Sequence, residues 1–177
     1  MLLPVAKSFG AEAAFANADA AIQVLGGAGY VKDWPVERML RDSRVFSIYE
    51  GTTAIQGLDL LLRRVLGEGG AGVLRDLLDH LAPGADLSDA VGRTATALSE
   101  APARMREAAA APFLRLLGLA CADGLLRRAG RQAGPLAGRY AALAEHHAAE
   151  AGTRAAALSA RCLRGGLDAA FDAVFPP

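Results

Sequence analysis

The sequence predicts an all-α protein: an up-down helical bundle with a second helical extension. Ala, Leu, Arg and Glu recur at helical spacing along most of the chain, β-branched residues are sparse, and no period-2 alternation lasts long enough for a strand. A chain of 177 residues can also bury a core without disulfides.

A first helix is predicted over residues 5–25, ending at Gly26-Gly27, where glycine admits the left-handed conformation that closes a helix. A loop, AGYVKDWP, then leads into a short helix over residues 36–42, with Pro35 tolerated at its start. The third helix, residues 52–66, carries Ile55, Leu58, Leu62 and Val65 on one stripe. Arg63 and Arg64 fall near its end, where the helix dipole favours cations. GEGGAG at residues 67–72 reads as a flexible break, placing a boundary between residues 1–68 and 73–177. Beyond it come a short helix over 73–81, one from about residue 86 bending at Pro102, one after Pro112, and a long one over 135–163. Long antiparallel helices joined by short loops make the bundle.

Lys+Arg and Asp+Glu both total 19, so no basic surplus exists to neutralise a nucleic-acid backbone or an anionic membrane. No basic segment precedes an apolar run at the N-terminus, and no stretch approaches the roughly 20 apolar residues of a membrane span. The expectation is a soluble, cytoplasmic protein with neither nucleic acid nor membrane as partner. Cys121 and Cys162 sit in Ala- and Leu-rich helical patterns without metal-type spacing, which predicts reduced core thiols.

Gly67 to Gly72 formally fits G-x-G-x-x-G, but that motif needs a preceding strand, and here a helix precedes it. His80 stands alone, and the adjacent His146 and His147 project about 100° apart on a helix, so no metal site is expected. There is no Gly-x-Ser-x-Gly elbow and no His-Glu-x-x-His pair. The acid in FSIYEGTTAIQ, residues 46–56, carries more chemistry. Thr53-Ala-Ile-Gln56 has capping-box spacing, so Glu50 can simply sit beside a helix start. Alternatively, a carboxylate at a helix break, partly desolvated beside Ile48 and Tyr49, suits a general base.

The order of segments over residues 20–56 closely resembles the signature of the acyl-CoA dehydrogenase family's C-terminal helical domain. The run Gln23, Val24, Leu25, Gly26, Gly27 with Gly29-Tyr30, the pair Arg41-Asp42, and Ile48-Tyr49-Glu50-Gly51-Thr52 followed by Ile55-Gln56 all fall in its order and spacing. The helical remainder resembles, more weakly, the C-terminal extension of a subgroup acting on 3-methylmercaptopropionyl-CoA. The resemblance implies FAD-dependent α,β-dehydrogenation of an acyl-CoA to the trans-2-enoyl-CoA, with Glu50 as the α-proton base. In the family the base residue's own N–H is one donor to the thioester oxygen, and Gly51 gives the backbone room beside the substrate. Thr52, Thr53 and Ala54 match positions near FAD. Residues 23–27 match the segment that contacts the FAD of a neighbouring subunit, implying a homo-oligomer.

Arg41 and Asp42 read as a structural ion pair. Electron-transferring flavoprotein is the implied acceptor. Residues 1–68 match a C-terminal domain already under way, so the chain is expected to be one subunit of a split enzyme, with the family's N-terminal and middle domains on a partner chain, or a fragment from a truncated gene or gene model. The alternative expectation is a non-catalytic helical assembly module.

Overall fold

The computed structural model describes residues 1–132 and 134–164; the end of the expected extension, from residue 165 on, lies outside them. All regular structure among these residues is helical: α1 (Leu2–Leu25), α2 (Gly27–Tyr30), α3 (Val36–Ser43), α4 (Thr53–Leu58), α5 (Gly70–Leu81), α6 (Ala85–Ser99), α7 (Ala103–Arg131) and α8 (Ala137–Cys162). A 3-10 turn, Arg44–Ser47, follows α3, and α4 runs on into a π-helical stretch, Asp59–Val65. The fold class is as predicted.

α7 is the central post. Phe113, Leu116, Leu117 and Ala120 are fully buried, and α1, α4, α5, α6 and α8 all pack on α7. Its antiparallel run with α8 is marked by the His147 ring near the Leu119 carbonyl at one level and the Cys162 thiol near that of Ala109 at another. α1 also lies antiparallel to α7, clamped where Arg115 donates twice to Glu12, at 3.0 and 3.1 Å. One apolar cluster runs from Val5, Leu60, Leu61 and Val65 through Leu74, Leu87 and Phe113 to Cys162.

Asp123, buried in α7, accepts from the Gly84 amide at 2.7 Å and from Arg127 Nε at 2.6 Å, fixing the start of α6. At Gly57 the chain of α4 passes so close to α7 that a Cβ would stand 2.8 Å from the Ala110 carbonyl oxygen.

Several expectations change. The glycine run is a tight corner: α5 begins at Gly70, which is buried, and a Cβ there would stand 2.4 Å from the Arg64 carbonyl oxygen. Pro102 does not bend a helix but precedes α7 as its cap, with the extended backbone that proline favours. Pro112, expected to start a helix, lies inside α7 instead. Its lost hydrogen bond is tolerated because packing on several sides holds the helix together. α7 is also long and apolar enough to cross a membrane by length and composition, contrary to the expectation of no such stretch. In this fold 72% of its most apolar window is buried against protein.

Candidate functional site

The chain from α3 to α4 is a series of tight turns. Ile48 and Tyr49 both donate their amides to the Val45 carbonyl, at 2.9 and 3.0 Å. Glu50 then adopts φ 55° and Gly51 φ 92°, two left-handed residues in succession. For glycine this costs nothing special, but for glutamate it costs about 1–2 kcal/mol, a strain that persists only where the surroundings impose it. Thr52 returns to extended backbone and caps α4, its hydroxyl accepting from the Ile55 amide at 3.4 Å.

The capping box therefore differs from the expected one. Thr52 rather than Thr53 is the cap, because the two left-handed residues put Thr52 in the last extended position before the helix. Gln56 does reach back, but its Nε2 donates to the Glu50 carbonyl at 2.9 Å, whereas a capping-box glutamine accepts from the backbone amide of the cap. Gln56 is thus a support of the Glu50 conformation. The Arg41–Asp42 pair is also corrected: Arg41 faces Glu37 one turn earlier, 3.5 Å away, because neighbouring residues on a helix diverge by about 100°.

Glu50 is exposed, and so are Ile48, Tyr49 and Ile55 beside it. The chain itself does not supply the expected desolvation of this carboxylate; it would have to come from whatever covers this face. Thr52, Thr53 and Ala54 line a cleft of about 480 Å³ shared with Glu12, Phe15, Arg44 and Arg115. Residues 23–27 lie elsewhere, at the far end of α1, with Gln23, Gly26 and Gly27 exposed and Val24 86% exposed. At about 1.5 Å per residue, some 15 Å of α1 separates them from the cleft beside Phe15. The two candidate cofactor segments are not one site within this chain.

Reasoning from sequence missed three side chains here. Arg44 and Arg115 bring cationic groups to the cleft, and Lys7 of α1 lies 4.4 Å over the Tyr49 ring. Lys7 and Arg115 lie far from the turn along the chain, so they left no local signal.

The other candidates take structural places. His80 is hydrogen-bonded to Arg128 at 3.0 Å, and among the described residues no three His, Cys, Asp or Glu groups gather as a metal site. Cys121 and Cys162 are free and buried; burial pushes their thiols up to about 11 and about 12, which removes them as nucleophiles. Among the described residues, Arg75 is the one titratable group lining a cleft of about 460 Å³ at α5 and α6.

Comparison with known proteins bears directly on this turn. The family described as acyl-CoA dehydrogenase, C-terminal domain, matches residues 1–66, a stretch that contains residues 23–27 and the whole of the Glu50 turn. Residues 1–66 belong to that family.

Among relatives, this acyl-CoA dehydrogenase C-terminal segment is similar to the broad-specificity linear acyl-CoA dehydrogenase FadE5 of Mycobacterium tuberculosis. The two are 43% identical over 70 residues, 40% of this chain and 12% of that protein. An acyl-CoA dehydrogenase of Bacillus subtilis is 51% identical over 63 residues, covering 36% of this chain and 16% of its own length. The 3-methylmercaptopropionyl-CoA dehydrogenase of Ruegeria pomeroyi is 38% identical over 122 residues, 69% of this chain and 21% of that protein. That last match is longer than the family segment and so extends into the other helices. The chain thus spans about an eighth to a fifth of these relatives.

Proposed function

We propose that this chain serves as the C-terminal part of a flavin-dependent acyl-CoA dehydrogenase, with Glu50 as the base. What supports this reading is one observation: the family segment holds its glutamate at φ 55° on an exposed turn just ahead of α4. A left-handed non-glycine residue costs stability, and such strain concentrates at working sites.

In the proposed reaction Glu50 takes the proton α to the thioester carbonyl, and the β hydrogen leaves with its electron pair, giving the trans-2-enoyl-CoA. FAD supplies the hydride acceptor, from which electron-transferring flavoprotein would draw electrons. The Glu50 N–H would donate to the thioester oxygen, on a turn whose Glu50 carbonyl is held by Gln56. Thr52, Thr53 and Ala54 would face the FAD of one active site, with the first amides of α4 suited to an anionic group. Residues 23–27, displaced along α1, would face the FAD of a neighbouring subunit. The exposed apolar residues around both segments, among them Val24, Tyr30, Trp34, Met39 and Ile48, would be covered by the N-terminal and middle domains and by a second copy. That cover would also desolvate Glu50. Similarity to the Ruegeria enzyme makes a short or thioether acyl group the first substrate to try.

The test is co-expression with a chain supplying the two other domains, followed by flavin absorbance and acyl-CoA-dependent dye reduction. Glu50→Gln should keep the flavin and lose roughly 100- to 10,000-fold in rate, the usual share of general-base catalysis. Full activity in that variant would end the base assignment. A complex that forms without flavin or turnover would favour the non-catalytic assembly module.

A further inference from the structure

We propose that Lys7 is a positioning residue for Glu50: it holds the turn that presents the carboxylate, an inference resting on the reading of Glu50 as the base. Lys7 stands on α1, and its ammonium reaches across to the segment between α3 and α4. There it makes two contacts, donating to the Phe46 carbonyl and lying 4.4 Å over the Tyr49 ring. These residues occupy the positions four before and one before Glu50.

The rest of the turn is organised locally. The Ile48 and Tyr49 amides both return to Val45, and Ser47 bonds with Arg44. Such bonds shape the turn without fixing where it sits relative to α1. α1 packs against the 3-10 turn and α4, and among the described residues two cations add directed contacts across that junction: Arg44, 5.9 Å over the Phe15 ring, and Lys7, whose contacts lie closer to Glu50. On the other side, Gln56 holds the Glu50 carbonyl at 2.9 Å. The strained residue is therefore gripped from behind by Lys7, through Phe46 and Tyr49, and from ahead by Gln56.

Lysine suits the task because one compact ammonium can donate to a carbonyl and still face an aromatic ring. The Tyr49 ring under that cation has the Phe46 ring beside it, 6.3 Å away and tilted by 57°. A base must meet the α carbon within a narrow geometry, and a shift of about 1 Å can cost as much as 100-fold in rate. Lys7 would thus act on turnover more than on acyl-CoA binding.

Lys7→Met and Lys7→Arg in the full chain provide the direct test, by amide hydrogen exchange. Lys7→Met should speed exchange about tenfold or more across residues 46–51 while α7 and α8 keep their protection. Lys7→Arg, which retains a donor and a cation, should restore most of it. Unchanged exchange in residues 46–51, an equal rise throughout the chain, or no rescue by arginine would each overturn the proposal.

In the co-expressed complex, Lys7→Met should lower kcat roughly 10- to 100-fold with KM nearly unchanged. If Glu50→Gln is inactive while Lys7→Met keeps full kcat, the positioning role fails and the base assignment stands. If Glu50→Gln keeps full activity, the base assignment fails and, with it, Lys7's role in catalysis; the exchange data still decide whether Lys7 holds the turn.

Discussion

Residues 1–66 and the helices α5 to α8 differ in how much apolar surface they leave open, although Val73, Leu125 and Leu143 of the later helices are exposed as well. In the later helices Leu74, Leu87, Val91, Leu98, Phe113 and Leu117 are buried against one another. The first 66 residues contribute Val5, Leu60, Leu61 and Val65 to that core yet leave Val24, Tyr30, Trp34, Met39, Ile48, Tyr49 and Ile55 exposed. These exposed groups are the ones that the proposed covering domains would meet. The stability of the chain resides chiefly in the bundle around α7, while the family segment is held on that bundle and turns its candidate site outward.

Truncations on the two sides should separate these roles by the largest margin. Phe113→Ala removes a fully buried ring from α7 and should cost about 3–5 kcal/mol. Val24→Ala removes a side chain 86% exposed and should stay within about 0.5 kcal/mol. Urea denaturation of the two variants reads the contrast. Comparable losses would mean that Val24 is packed in solution and that the comparison is wrong.

A smaller effect probes the strained turn. Glu50→Gly and Glu50→Ala both delete the carboxylate, but only glycine relieves the left-handed backbone at φ 55°. The glycine variant should be the more stable of the two by about 1 kcal/mol, with glycine's greater unfolded-state entropy setting the lower bound. Thermal unfolding checks this; equal midpoints would mean that the turn relaxes and stores no strain. A difference in the expected direction would show that the chain gives up stability to keep glutamate at this position.

How much of this was legible in the sequence varied with the range of the forces involved. The end of α1 at Gly26, with φ 58°, could be read because a glycine pair announces a local backbone need. Helix α8 could be read from its period alone. The two prolines were interchanged because proline's local rule permits both outcomes. Pro102 heads a helix, as the rule allows, while Pro112 is carried through α7 by buried neighbours far along the chain. Glu50 was identified from its place among linked segments. Its support by Lys7, 39 residues before Phe46, exists only once α1 folds back beside the turn. Two adjacent threonines made the cap ambiguous, and the backbone of Glu50 and Gly51 resolved it. The π-helical stretch closes with the Leu66 amide on the Leu61 carbonyl at 2.9 Å, an extra residue in one turn that no side-chain pattern encodes.

The smallest expected effect lies at the seam between the two regions. Asp59 opens the π-helical stretch, and Arg64 Nε donates to its carboxylate at 2.7 Å, with Arg63 on the other oxygen. The Arg64 hydrogen bond holds this carboxyl below its ordinary value of 3.8; burial opposes it, and Arg63 adds to it. A folded value below the unfolded one means that the pair stabilises the fold above about pH 3.8. That contribution fades as the pH falls through the folded value. Solvent screening keeps it under about 1 kcal/mol. Asp59→Asn should therefore be slightly less stable than the parent chain at pH 7, and the gap should close toward pH 3. A gap that stays constant down to pH 3 would assign Asp59 to packing rather than charge.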